Sequence, residues 1–384
     1  MKKKLVALAA LSAIAGVAQA QSSVTLYGIV DAAFRYTTNQ GDAADNSASL
    51  SKLVGGGMSQ SRWGMAINED LGGGLRAMAN LETRFLTDNG ANAAIAGGSW
   101  SQSWVGLQSS SLGRVTAGRQ YNVLFDVVTT TYASFKYSPY VEAYKPEITV
   151  SLGARNDNMV KYALTLGGFT GELQVSGSEG AALSGTNPIG GKSVGGMAKY
   201  SFGAFGVGGG YLERQDTTGL KVKGYTVGAS YSAGPLYISG GYAENKFNDG
   251  FNSGYVLGGS GYDSSIAYLT SAGGANPTAA LHVDNRSMWF ANVNYYVTPA
   301  LNLGVGYWKL DQSFFTSSSF TSPGSPSMDF FAFIGDYAFS KRTDAYVGLD
   351  YTKLKGPISL NSTAGAINNA TDRTGFMVGL RHRF

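Results

Sequence analysis

The feature that most constrains this chain is a two-residue alternation of apolar and polar side chains, repeated along its length. From Leu75 to Phe85 the odd positions read Leu75, Ala77, Ala79, Leu81, Thr83 and Phe85, while the even ones read Arg76, Met78, Asn80, Glu82 and Arg84. Successive side chains of a strand point to opposite faces, so one face is apolar and the other carries three charges. Phe169, Leu173 and Val175 oppose Thr170, Glu172, Gln174 and Ser176 in the same way. Leu301, Leu303, Val305 and Tyr307 oppose Asn302, Gly304, Gly306 and Trp308, and the segments 225–231 and 345–351 repeat the pattern. Recurrence on this scale predicts a fold made of strands alone.

Composition decides which solvent each face meets. Charged residues are only 14%, against roughly 25% in soluble globular chains, yet mean hydropathy is −0.06. Gly (54), Tyr (23) and Phe (19) are abundant. A chain poor in charge without being greasy fits a transmembrane barrel, whose strands alternate a lipid-facing and a wet side. A closed barrel is also the one strand architecture that satisfies every backbone hydrogen bond inside lipid.

At the amino terminus, Lys2, Lys3 and Lys4 precede a short apolar run, Leu5 to Val17, and Ala18-Gln19-Ala20. This is the pattern of a cleaved signal peptide over residues 1–20. The run is too short to span a bilayer as a helix. Residues 21–384 are then expected to form a single outer-membrane β-barrel domain. Subtracting the three lysines lowers the formal charge from +4 to +1, so electrostatics gives no reason to expect nucleic acid as a partner. The absence of cysteine suits an exported chain with neither disulfides nor thiolate-bound metal.

Turn signals set the strand count. Short turns are read at 70–74, 109–113, 167–168, 203–204, 232–234, 297–300 and 340–343. Longer Gly/Ser/Asn/Asp-rich stretches lie near 37–58, 86–99, 120–154, 177–192, 214–221, 244–285, 311–327 and 354–372. Seven short turns alternating with eight long loops join about 16 antiparallel strands, with both ends of the barrel chain on the same side. Tyr27, Phe34, Tyr36, Phe85, Tyr162, Tyr200, Tyr211, Tyr231, Tyr295, Tyr337, Phe339 and Tyr351 fall near strand ends, as aromatic girdles would. The last segment places Phe376, Val378, Leu380, His382 and Phe384 on one face, and the chain ends on Phe384.

Several motifs resemble a known family. Ser23-Val24-Thr25-Leu26-Tyr27-Gly28-Ile29-Val30-Asp31 is similar to the mature amino terminus of the general diffusion porins of the Neisseria and Burkholderia type. Ser61-Arg62-Trp63-Gly64 with Glu69-Asp70-Leu71-Gly72-Gly73-Gly74-Leu75 resembles their second strand and first turn. Gly118-Arg119-Gln120, Asn158-Met159-Val160-Lys161-Tyr162, Ser340-Lys341-Arg342-Thr343 and Val378 to Phe384 follow in the family's order. The resemblance implies a sixteen-stranded barrel in outer-membrane lipid, a homotrimer, and a third loop (about Tyr121 to Ala154) folded inward. It also implies insertion by the barrel-assembly machinery, with Phe384 as the assembly signal. Small hydrophilic solutes and ions would diffuse passively through a water-filled channel.

The family lines its constriction with basic wall residues opposed by acidic groups on loop three. Arg62 and Arg155 sit at two family arginine positions, while a third falls at Ser101, which argues against a strong anion preference. Arg119 and Lys161 complete the expected basic set, and Asp126, Glu142 and Glu147 are the candidates for the acidic one. Parity sends Arg62 away from Trp63, Met65 and Ile67, and places Arg155, Asp157 and Lys161 opposite Val160, Tyr162 and Leu164. A charge facing lipid at mid-depth costs about 2–4 kcal/mol, which favours the lumen. Arg76, Glu82 and Arg84 are read equally well as solvated wall charges. For the acidic candidates, solvated loop carboxylates are at least as good a reading.

Enzymatic readings find little support. His282 falls in a long loop and His382 in the lipid-facing set of the last strand, so neither is placed to orient a nucleophile. The runs Gly55-Gly56-Gly57, Gly72-Gly73-Gly74 and Gly208-Gly209-Gly210 lack the strand–loop–helix context of a phosphate loop. The carboxylates show no metal-ligand spacing, and no cofactor is expected. A weakly anion-preferring pore is the leading expectation. The alternatives are a substrate-specific channel, which would saturate, and an adhesin or structural barrel with a plugged lumen, which would be electrically silent.

Overall fold

The computed structural model describes residues 22–41, 45, 47–92, 100–134, 146–148, 150–177, 192–216, 219–251, 282–316, 324–356 and 370–384. Strand β1 (Ser23–Thr37) pairs antiparallel with β17 (Asp372–Arg383), from Ile29 opposite Arg383 to Thr37 opposite Gly375. That pairing joins the first strand to the last and closes the sheet. The intervening strands are β2 (Leu50–Gly55), β3 (Arg62–Gly72), β4 (Leu75–Arg84), β5 (Gln102–Ser109), β6 (Gly113–Tyr121), β7 (Arg155–Leu166), β8 (Phe169–Ser176) and β9 (Ser193–Phe202). They continue through β10 (Phe205–Gln215), β11 (Lys221–Ala233), β12 (Leu236–Phe247), β13 (Val283–Tyr296), β14 (Leu301–Phe314), β15 (Ser327–Ala338) and β16 (Thr343–Lys355). From β3 onward each strand pairs with the next.

β2 and β3 occupy one place in the wall. β2 pairs with Ala32–Thr37 of β1, and β3 pairs with Ser23–Ile29 of the same strand. The seventeen segments therefore make a closed antiparallel barrel of 16 staves, the expected architecture. One expectation needs correction. The stretch 37–58 was expected to be loop, but β2 lies inside it. Its sequence, Leu-Ser-Lys-Leu-Val-Gly, does not alternate cleanly, so period two could not reveal it.

All seven short turns fall where expected, together at one end of the strands. The β3–β4 turn uses Gly72, Gly73 and Gly74 at φ of 81°, 61° and 80°, a left-handed path that side chains resist. Residues 1–20 lie outside the described residues.

The burial pattern is inside out relative to a soluble protein. Val24, Leu26, Leu107, Leu173 and Val227 are exposed, whereas Arg84, Arg286, Arg373 and Arg381 are among the largest fully buried side chains. The outer wall meets hydrocarbon and the inner wall carries the charge. Rings gather in two groups outside. Tyr200, Phe202, Phe205 and Tyr231 run together at the turn end with centroids 4.9–5.7 Å apart. Trp289, Tyr307 and Phe331 do so about midway along β13, β14 and β15. Tyr27 is not in the girdle. Its register places it beside Gly64 and Glu82 on the lumen face, and its hydroxyl hydrogen-bonds Asn80.

Candidate pore constriction

Loop three leaves β6 at Tyr121 and turns into the barrel through a short helix, α1 (Val123–Val127), which continues into a single wide turn, Val128–Tyr132. Asn122 starts it by accepting from Phe125 N at 2.9 Å and donating to Ser151 O at 2.9 Å, a cap that ties the two ends of the loop together. Val123, Leu124, Val127, Val128 and Tyr132 are fully buried against the inner wall of β9–β11. That wall is bare. A Cβ at Gly208 would meet Val127 at 2.9 Å, one at Gly224 would meet Leu124 and Leu152 at 2.8 Å, and one at Gly228 would meet the Tyr132 ring at 2.5 Å. The Gly208-Gly209-Gly210 run thus contributes to an apolar seat for the loop.

Polar contacts fix further described parts of the loop. Tyr132 Oη lies 2.7 Å from Thr226 Oγ1, and Tyr237 donates to Ala133 O at 2.8 Å. Asn245 donates to Val150 O at 3.0 Å and Arg214 to Leu152 O at 2.8 Å. Burying loop backbone is costly unless its polar groups find partners, and here the wall supplies them.

The basic residues sort into two kinds. Arg155 Nη2 donates to Tyr121 Oη at 2.8 Å, and Arg84 Nη2 donates to the same oxygen at 3.2 Å. The Arg155 guanidinium also lies 4.4 Å from the centre of the Tyr121 ring, which stacks on Phe125 at 4.0 Å. Arg62 faces the lumen directly across the β3–β4 ladder from Arg84. Like charges opposite one another on a sheet are destabilising, so this pair is better explained by the field it creates than by stability. Arg62 and Arg155 therefore come together with Arg84, which parity places on the lumen face without separating a constriction role from that of a solvated wall charge. A sequence signal for it existed, since Arg62 and Arg84 each lie eleven residues from the central turn residue Gly73.

The other two expected basic residues are held by acids. Lys161 pairs with Asp126 of α1, donates to Tyr121 O at 3.0 Å and lies 3.8 Å from Glu172. Arg119 pairs with Asp157. Left-handed Asn158 (φ 50°) and a register shift opposite Gly118–Gln120 break the alternation here, so Arg155 and Asn156 are both buried. The expectation that Arg155, Asp157 and Lys161 share one regular face fails for that reason.

Of the acidic candidates, Asp126 is therefore spent on Lys161, and Glu142 lies outside the described residues. Glu147 is fully buried, accepting from Trp308 Nε1 at 2.6 Å and from Ser134 N and Oγ at 2.8 and 2.7 Å. It anchors the loop to β14 instead of standing on an open acidic wall. Ser101 is buried beside β5. Phe384 projects outward at the turn end, where β17 meets β1.

A family model described as Gram-negative porin matches residues 7–357. An outer membrane porin protein of Bordetella pertussis is 37% identical over 180 residues, which is 42% of this chain and 44% of that protein. Outer membrane porin protein 32 of Delftia acidovorans is 32% identical over 234 residues, 57% of this chain and 62% of that one. The chain thus spans about half the length of the curated relatives it matches. Among solved structures, an anion-selective porin from Comamonas acidovorans superposes with a TM-score of 0.69 at 24% identity, covering 95% of this chain and 100% of the other. The trimer form of OmpT from Vibrio cholerae gives 0.62 at 16% identity, covering 94% and 99%.

Proposed function

The chain belongs to the Gram-negative porin family, and from that premise we propose that it forms a water-filled channel through the outer membrane, with a weak preference for anions. The observation that carries this reading is the convergence of Arg155 and Arg84 on the Tyr121 hydroxyl, with Arg62 across the ladder from Arg84. Three guanidiniums on one part of the lumen wall raise the local potential, partly offset by Glu82 at 3.9 Å from Arg84, and a low-dielectric barrel focuses it on passing ions. The preference stays weak for two reasons. Ser101 supplies no charge where the family resemblance expects an arginine, and Lys161 and Arg119 are each matched by a carboxylate.

Passive diffusion of small hydrophilic solutes follows from a lumen lined by polar side chains. The resemblance also supports a homotrimer, inserted by the barrel-assembly machinery with Phe384 as its signal. Liposomes carrying the purified protein should swell in neutral sugars at rates that fall steeply with sugar size and rise linearly with concentration. Saturation with one sugar would favour a substrate-specific channel instead. Cross-linking of the detergent-solubilised protein should stop at three subunits.

A further inference from the structure

Between Gly55 and Arg62 the wall is interrupted. On β1, Gly55 stands opposite Ala32 and Arg62 opposite Ile29, so two residues of β1 face a gap that six residues of the partner, 56–61, must cross. The surplus cannot lie in the sheet and folds into the lumen, where all six are buried. Gly56 turns the chain at φ 107°, and a Cβ at Gly57 would meet Tyr346 Oη at 2.3 Å and Met377 Sδ at 2.7 Å.

Asp31 holds this segment. Its carboxylate accepts from Gly57 N at 3.1 Å, Met58 N at 3.1 Å, Ser59 N at 2.7 Å and Tyr346 Oη at 2.5 Å. Successive backbone amides make an anion-binding concavity, and here the anion is the chain's own side chain. Ser61 completes the attachment, accepting from Asp31 N at 2.9 Å and donating to Asp31 O at 3.1 Å. From the latched segment, Gln60 Oε1 receives Arg84 and Ser59 Oγ receives Arg381 at 2.7 Å. Arg84 in turn reaches Tyr121. A continuous set of contacts runs from Asp31 through Gln60 and Arg84 to the foot of loop three.

We propose that residues 56–61 form a second inward-folded constriction element, and that Asp31 is a positioning residue that latches it and thereby sets the place of Arg84. Asp31 touches no permeating ion. It acts by holding the backbone that carries Gln60. The inference deepens the channel reading and rests on it for its consequence, while the latch itself is readable without current.

The test uses two readouts on the full-length protein. In planar bilayers, Asp31→Asn keeps the volume but faces the amides with a neutral group that can also donate. It should raise single-channel conductance roughly 1.5-fold or more, because the narrowest section controls permeation, and should move the reversal potential toward zero. Because the chain has no cysteine, Gln60→Cys gives a single reporter. It should react slowly with a water-soluble thiol reagent when Asp31 is present and several-fold faster when combined with Asp31→Asn. Equal labelling rates, or a conducting Asp31→Asn channel with wild-type conductance and reversal potential, would overturn the proposal. If Asp31→Asn does not assemble, Tyr346→Phe replaces it, and an unchanged labelling rate is again the contrary result. A silent wild type with latch-dependent labelling would instead count against the channel reading alone.

Discussion

Phe384 closes the barrel on Gly28. Phe384 N donates to Gly28 O and Gly28 N to Phe384 O, both at 3.1 Å, and the phenyl ring lies where a Gly28 side chain would be, with Cζ 2.3 Å from an added Cβ. The terminal aromatic is therefore built into the seam between the last strand and the first, on the lipid side of the wall.

Gly28→Val should accordingly obstruct closure. Overpacking costs about 1–3 kcal/mol even where neighbours can adjust, and here the seam must form before the barrel exists. The folded, heat-modifiable species on a gel should be a minor fraction of the variant, whereas Val30→Ala, on the same outward face, should assemble normally.

Loop three depends on the glycine seat. Gly228→Val places a side chain where the Tyr132 ring lies 2.5 Å from the ideal Cβ position. The same Cβ would lie 2.8 Å from Gly240 O of β12, so the ladder must shift locally as well; the yield of folded protein should fall, and the fraction that folds should carry loop three displaced. Single-channel recordings should show conductance changed from wild type and a noisier open level.

Trp308→Phe removes the donor at 2.6 Å from Glu147 and leaves a buried carboxylate oxygen short of a partner. Losing a hydrogen bond to a buried group costs about 1–3 kcal/mol, more when the group is charged. Susceptibility of loop three to added protease should rise, while strand content by circular dichroism stays the same.

The arginine cluster predicts a graded electrical effect. Arg84→Ala and Arg155→Ala should each move the reversal potential toward cation preference, and the double variant further than either. The shift should shrink as salt rises, because the screening length falls from about 10 Å at 0.1 M to about 3 Å at 1 M.

The sequence made some of this legible and left some hidden. Strand faces were readable because a lipid-facing Leu173 and a lumen-facing Gln174 differ in kind and recur at period two. Turns were readable because Gly72-Gly73-Gly74 and Gly167-Gly168 mark them. The Arg62 orientation followed from Trp63 beside it. Arg84 took its meaning from the ladder, and the role of Glu147 from Trp308, 161 residues away, which no local pattern announces. Asp31 was hidden for a related reason. Its partners Gly57, Met58 and Ser59 bind through backbone amides, whose positions depend on the path of the chain more than on residue type.

The most direct test of the central claim is the current carried by the purified protein in a planar bilayer under a potassium chloride gradient. Discrete ohmic steps and a reversal potential displaced modestly to the anion side are expected. No steps at any voltage, or a reversal potential clearly on the cation side, would contradict that claim.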